Sequence, residues 1–206
     1  MKKYLAALSA TALIGIAPYA LAAPSTDLTV IGTITPNACT PTVSNGGVVD
    51  HKTISSEDLN QDKLTNLPDK TLQLSVSCGS AIAFRLKPIE NRIGSGVGQY
   101  FFGLGYINGD QKLGSVDVQI RAPLADGVLV QPLQSIDDGN TWFQSTFLAP
   151  STLAAFRSTG GPNTPIAIKE LITDLRISTQ IARADSLDLT NDVALDGSIT
   201  LEVEYP

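Results

Sequence analysis

The chain has 206 residues, 43% of them hydrophobic, and carries 20 acidic against 14 basic side chains for a formal charge of −6. Its length suits one domain with a proper core. The acidic balance excludes nucleic acid and anionic membrane as natural partners, since both repel such a surface.

Met1-Lys2-Lys3 is a short basic start, Tyr4 to Ala17 is uncharged and apolar, and Ala20-Leu21-Ala22 fits the small-x-small cleavage pattern. Residues 1–22 therefore read as a secretory signal peptide. A membrane anchor would need a similar apolar length, but Pro18 interrupts this one and no later stretch is long and apolar enough to span. Removing Lys2 and Lys3 with the leader takes the charge of the exported chain from −6 to −8.

The next segment, Asp27 to Cys39, alternates Leu28, Val30, Gly32 and Ile34 with Thr29, Ile31, Thr33 and Thr35. This period of two marks a strand with one apolar face notched by a glycine, and no hairpin partner follows it. Such a strand at the start of an exported chain usually belongs in another molecule's sheet, so residues 23–36 read as an N-terminal arm and 37–206 as the domain. Gly32 fits a close backbone approach in a shallow part of a groove; a simple bulge would also use a glycine.

Past the arm, five further segments alternate. Leu72, Leu74, Val76 and Cys78 share a face, as do Ile82, Phe84 and Leu86; Val116, Val118 and Ile120; Leu171 through Ile181; and Ile199, Leu201, Val203 and Tyr205. Half-buried strands of this kind form antiparallel sheets, which predicts an all-β sandwich. Asn45-Gly46-Gly47, Asn108-Gly109-Asp110, Asp126-Gly127 and Asp138-Gly139-Asn140 supply residues that tolerate positive φ at turns. Ser151 to Arg157 reads as one or two helical turns capped by Ser151. Gly94 to Gly109, with its many glycines, reads as a mobile loop or a bulged strand, and 160–165 as a long surface loop.

Cys39 and Cys78 are the two cysteines. In an exported protein a lone pair is most simply one disulfide, since a metal site needs more ligands than these and the single His51. No Gly-x-Ser-x-Gly elbow is present and His51 has no motif around it, so the expectation is a protein that is not an enzyme, with His51 a surface or edge-strand residue. Asp137-Asp138-Gly139-Asn140 lacks the spaced oxygen ligands of a calcium loop and reads as a hairpin turn. Trp142 and Phe143 beside it read as core rather than as an exposed platform for sugars. Neither a metal nor a cofactor is expected.

The arm, the Gly32-to-Cys39 spacing, the second cysteine ending a strand, and the penultimate Tyr205 together resemble bacterial chaperone–usher fimbrial subunits, the pilins. The closing run Leu195 to Tyr205 and the phrase Trp142-Phe143 through Pro150 resemble a fimbrial branch catalogued as a domain of unknown function. The resemblance implies an immunoglobulin-like sandwich that lacks its last strand. Its groove would be filled first by a periplasmic chaperone and then, at an outer-membrane usher, by the arm of a neighbouring fimbrial subunit, a mode of β-strand addition known for chaperone–pilin complexes.

On that model Leu28, Val30, Gly32 and Ile34 are the donor residues. Ile199, Leu201, Val203 and Tyr205 line one groove edge and meet the chaperone, with the carboxylate of Pro206 anchored by basic chaperone residues. Family patterns place a glycine about four residues upstream of Gly197, where this chain has Val193. The implied function is a structural fimbrial subunit, exported through the periplasm to the cell surface and contributing to adhesion. The competing expectation is a secreted, monomeric β-sandwich that binds carbohydrate or another surface; a secreted hydrolase is the weakest.

Overall fold

The computed structural model describes residues 38–206. The expected signal peptide and the arm residues Leu28, Val30, Gly32 and Ile34 lie outside them. The described chain is almost entirely strand and turn, as the alternating pattern predicts. In chain order, β1 is Cys39–Val43, β2 Thr65–Asn66, β3 Lys70–Ile82, β4 Arg85–Glu90 and β5 Phe102–Gly103. There follow β6 Tyr106–Ile107, β7 Gln111–Lys112, β8 Gly114–Ala125, β9 Val128–Ser135 and β10 Phe143–Gln144. The last are β11 Phe147–Leu148, β12 Leu153–Ser158, β13 Ile168–Ile181 and β14 Ile199–Glu204.

The strands follow one path, β1-β3-β13-β8-β9-β12-β4-β14, with every pairing antiparallel. The path folds at the β8–β9 hairpin, where only Leu124↔Leu129 and Ala125↔Val128 pair across. This makes a nearly closed two-layer sandwich, with β1-β3-β13-β8 as one layer and β9-β12-β4-β14 as the other. The hairpin turn holds Asp126 at φ 50° and Gly127 at φ 80°, the two positive values that a tight two-residue turn requires.

The core follows the period-two pattern. Leu72, Leu74, Val76 and Cys78 from β3, Val118 and Ile120 from β8, and Leu171 and Leu175 from β13 are all buried. The opposing layer supplies Leu86, Val130, Ala154 and Phe156. Burying each large apolar side chain stabilises by roughly 1.5–3 kcal/mol. At the rim of this core Cys39 and Cys78 stand opposite each other in register and form the expected disulfide.

Three expectations need correction. Leu153–Ser158 is a strand, not a helical turn: Ser151 takes a left-handed φ of 60°, unsuited to an N-cap, and Leu153 to Phe156 are buried on both faces. A strand covered on both sides reads as an unbroken apolar run, which periodicity alone cannot tell from a helix. The outer-face residues Leu133, Leu153 and Ala155 are buried as well, and in the loop after β9 the Asp138 carbonyl accepts from Arg85 Nη1 at 3.2 Å. Trp142, in that loop, is half-buried rather than core, and Phe143 is exposed.

The glycine-rich stretch is not one bulged strand: it carries two short strands, β5 and β6, with irregular segments around them that hydrogen bonds tie together. Ser95, fully buried, donates to the Arg92 carbonyl at 2.7 Å and accepts from Gly105 N–H at 3.0 Å. Glu90 Oε1 accepts from Gly103 N–H at 2.7 Å, and a Cβ on Gly103 would fall 1.9 Å from Ser95 Oγ. A glycine is the residue that lets those two chains meet.

Candidate functional site: the open seam between the first and last strands

The two ends of the strand path, β1 and β14, are edge strands that face each other across the mouth of the sandwich. Among the described residues no strand pairing joins them. One hydrogen bond crosses at the end of the seam, where Cys39 N–H donates to Tyr205 Oη at 2.7 Å. β14 runs toward that point and β1 runs away from it, so the edges are antiparallel with an unpaired gap between them.

Below the gap lies a cleft of about 500 Å³ that reaches between the layers. Val43, Leu74 and Val118 line it from one layer, and Pro88, Ile199 and Leu201 from the other. Leu74 and Val118 are buried at its floor, whereas Val43, Ile199, Leu201 and Val203 are only half-buried although they pack against the core. Among the described residues no strand pairs with the free edge of β14, on whose inward face Ile199, Leu201 and Val203 stand. Pro41 and Val48, on the opposite lip, are exposed.

The predicted edge residues thus fall into two groups. Ile199, Leu201 and Val203 come together on one face of β14 and border the seam. Tyr205 lies just past the strand and closes the end of the seam through its hydroxyl, while Pro206 is exposed beyond it. On the outer face Glu204 pairs with Lys87 at 2.6 Å, which holds the Lys87 ammonium above its ordinary range, and lies 3.9 Å from Arg85. Arg85 Nη2 also donates to the Tyr205 carbonyl at 3.4 Å. These contacts fix the end of the chain against β4.

Away from Tyr205 the gap continues between two irregular stretches, 48–54 and 189–195, which flank a second cleft of about 510 Å³. Val49, His51 and Leu195 line both clefts, so the openings share a wall. His51, expected at the surface or on an edge strand, is half-buried in the first of these stretches, with Nε2 2.9 Å from Thr179 Oγ1. Burial, and secondarily the Lys70 charge, holds its imidazole below the ordinary value, with Asp50 opposing.

Among the described residues the side-chain hydrogen-bond partner of His51 is Thr179, a buried threonine on the core face of β13. Asp137 is held down to about 2 by hydrogen bonds from Thr141 and Ser135. Both of its carboxylate oxygens are engaged in closing its own turn, as the hairpin reading expects. No group of three or more His, Cys, Asp or Glu among the described residues is placed to hold a metal ion.

The family model described as "Protein of unknown function (DUF1120)" matches residues 28–99, which take in 28–36 of the expected arm, both cysteines and the strands that they join. The chain is also similar to Protein GltF of Escherichia coli (strain K12), with 27% identity over 250 aligned positions that cover 99% of this chain and 98% of GltF.

Proposed function

We propose that this protein is a structural subunit of a bacterial surface fibre, an immunoglobulin-like pilin that polymerises by donating its arm to the seam of a neighbour. The observation that carries the reading is the half-burial of Ile199, Leu201 and Val203 beside an unpaired edge. Leu28, Val30 and Ile34 have the alternation to fill such a gap, and Gly32 allows close approach where the groove is shallow. An inserted strand would satisfy backbone groups on β1 and β14 together. It would also bury apolar side chains worth roughly 5–9 kcal/mol gross, at about 1.5–3 kcal/mol each.

Direction follows from topology. An arm that runs antiparallel to β14 leaves the seam at the far end from Tyr205, whereas a subunit's own arm joins β1 at the Tyr205 end. Each subunit then contacts the next through opposite ends, a heterologous contact that propagates as a filament. The opposite direction would bring like ends together and close a dimer. In this reading the chain crosses the periplasm bound to a chaperone that occupies the same seam, reaches the surface through an outer-membrane usher, and does no chemistry.

The test is to move Asp27–Pro36 from the front of the exported chain to its C-terminus through a flexible linker and to compare it with an arm-deleted control. The expected product is a monomer that melts about 10 °C or more above the control. A control that is already monomeric and equally stable would mean that the sheet is complete without an inserted strand.

A further inference from the structure

The outer face of the β1-β3-β13-β8 layer carries an ordered array of polar side chains that the seam does not use. Along β8, Arg121 Nη2 donates to Gln119 Oε1, and Gln119 Nε2 donates to Asp117 Oδ2 at 2.6 Å. On the neighbouring strand, Arg176 donates to Asp69 through Nε and Nη2 at 2.8 and 2.6 Å, and Ser178 Oγ donates to the same carboxylate at 2.6 Å. Register places Arg176 opposite Gln119, and Gln119 opposite Phe147 on β11.

Phe147 is 45% exposed, and its N–H donates to Ser145 Oγ at 3.2 Å, which fixes the turn that presents it. A row of Thr71, Arg176, Gln119 and Phe147 therefore spans four strands, roughly 14 Å at the usual strand spacing.

We propose that this face is a binding site for a neutral oligosaccharide. Mutual hydrogen bonds fix the amide and guanidinium planes before any ligand arrives, which lowers the ordering cost of binding. Among the described residues Asp117 Oδ1 and the Nη1 groups of Arg121 and Arg176 have no hydrogen-bond partner, leaving acceptors and donors for hydroxyl groups. Phe147 at the end of the row offers an apolar ring for the C–H face of a sugar.

The charge balance selects the ligand class. Asp69, Asp117 and Asp174 stand against Arg121 and Arg176, on a chain with a net charge of −6, so sulfated and sialylated glycans are repelled. The proposal is independent of the seam.

The experiment is a printed panel of neutral, sialylated and sulfated oligosaccharides, probed with the exported full chain and, separately, with the strand-transplanted monomer. Any hit is then titrated by saturation-transfer NMR. The expected result is binding of a neutral member by both proteins. Phe147→Ala and Gln119→Ala should weaken it by about tenfold, while Phe147→Trp and the opposite-layer variant Lys87→Ala retain it. Circular dichroism of each variant checks that it is folded. Failure of every neutral saccharide to bind, binding confined to charged glycans, or binding that persists in both alanine variants would each overturn the proposal. A seam reading that fails leaves this result untouched, since neither the probe nor the variants involve β1 or the inward face of β14.

Discussion

The backbone N–H of Cys39 donates to the phenol of Tyr205 at 2.7 Å, tying the first residue of the first described strand to the penultimate residue of the chain. The two are 166 positions apart in sequence and sit on opposite lips of the seam. Cys39 is 9% exposed, so its N–H has little access to water once the phenol is gone. Tyr205→Phe keeps the ring and removes the acceptor.

The first expected outcome is a loss of about 1–2 kcal/mol in urea unfolding at an unchanged m-value, because a nearly buried donor is orphaned while the surface exposed on unfolding stays the same. A loss below a few tenths of a kcal/mol would show that water replaces the phenol freely and that this end of the seam is open.

The disulfide holds the other lip. Among the described residues β1 pairs with β3 alone, and Cys39–Cys78 is the covalent part of that attachment, closing a sequence separation of 39 residues. Loop-closure entropy for this span is about 4 kcal/mol. Replacing both cysteines with alanine should lower stability by roughly that amount. It should also raise amide exchange in Thr40–Val43 more than in the central strands β13 and β8, a local effect that hydrogen-exchange mass spectrometry resolves. Uniform loosening across all strands would assign the bond a global role instead.

A mild dependence of stability on acidity is expected from His51. Its folded-state value lies below the ordinary 6.5, chiefly through burial and then through Lys70, with Asp50 acting the other way. The unfolded chain therefore takes up the proton first as pH falls. The folded state loses stability as pH drops through about 6.5 and regains it as pH rises. His51→Gln retains a partner for Thr179 and cannot titrate. The melting temperature of the natural chain should fall between pH 7 and 5.5 relative to that variant, and parallel curves would refute the assignment.

Much of this architecture was readable from residue alternation, and the failures share a cause. Leu72–Cys78, Val116–Ile120, Leu171–Ile181 and Ile199–Tyr205 each have one wet face, so period two identified them. β12 is covered on both faces, and β9 is buried from Val130 to Ser135 apart from half-buried Gln131, so neither alternates cleanly. The path of 94–109 depends on Ser95, Ser115 and Glu90 reaching backbone groups, contacts that no local pattern announces. At the seam, the sequence named the residues of β14, but its opposite lip at Pro41, Val43 and Val48 carries no signal beyond ordinary apolar character. The outer-face array was visible only as the polar half of an alternation, because its meaning lies in the register that sets Arg176 and Phe147 on either side of Gln119.

The donor side of the proposed assembly can be probed without touching the folded domain. Ile34 lies outside the described residues; on the proposed assembly it stands in the apolar alternation of the arm, so an aspartate there would change what the arm offers and not the cleft proposed to receive it. A carboxylate forced into an apolar groove without a partner costs several kcal/mol, enough to offset most of the 5–9 kcal/mol gross gain from the arm. Ile34→Asp, and likewise Val30→Asp, should therefore leave the domain foldable and its disulfide intact but abolish polymers in sedimentation and electron microscopy. Mixed with natural chain, the variant should cap growth: its own seam still accepts an arm, while its arm fills no neighbour. Fibres of normal length from the variant alone would rule out strand exchange through this face of the arm.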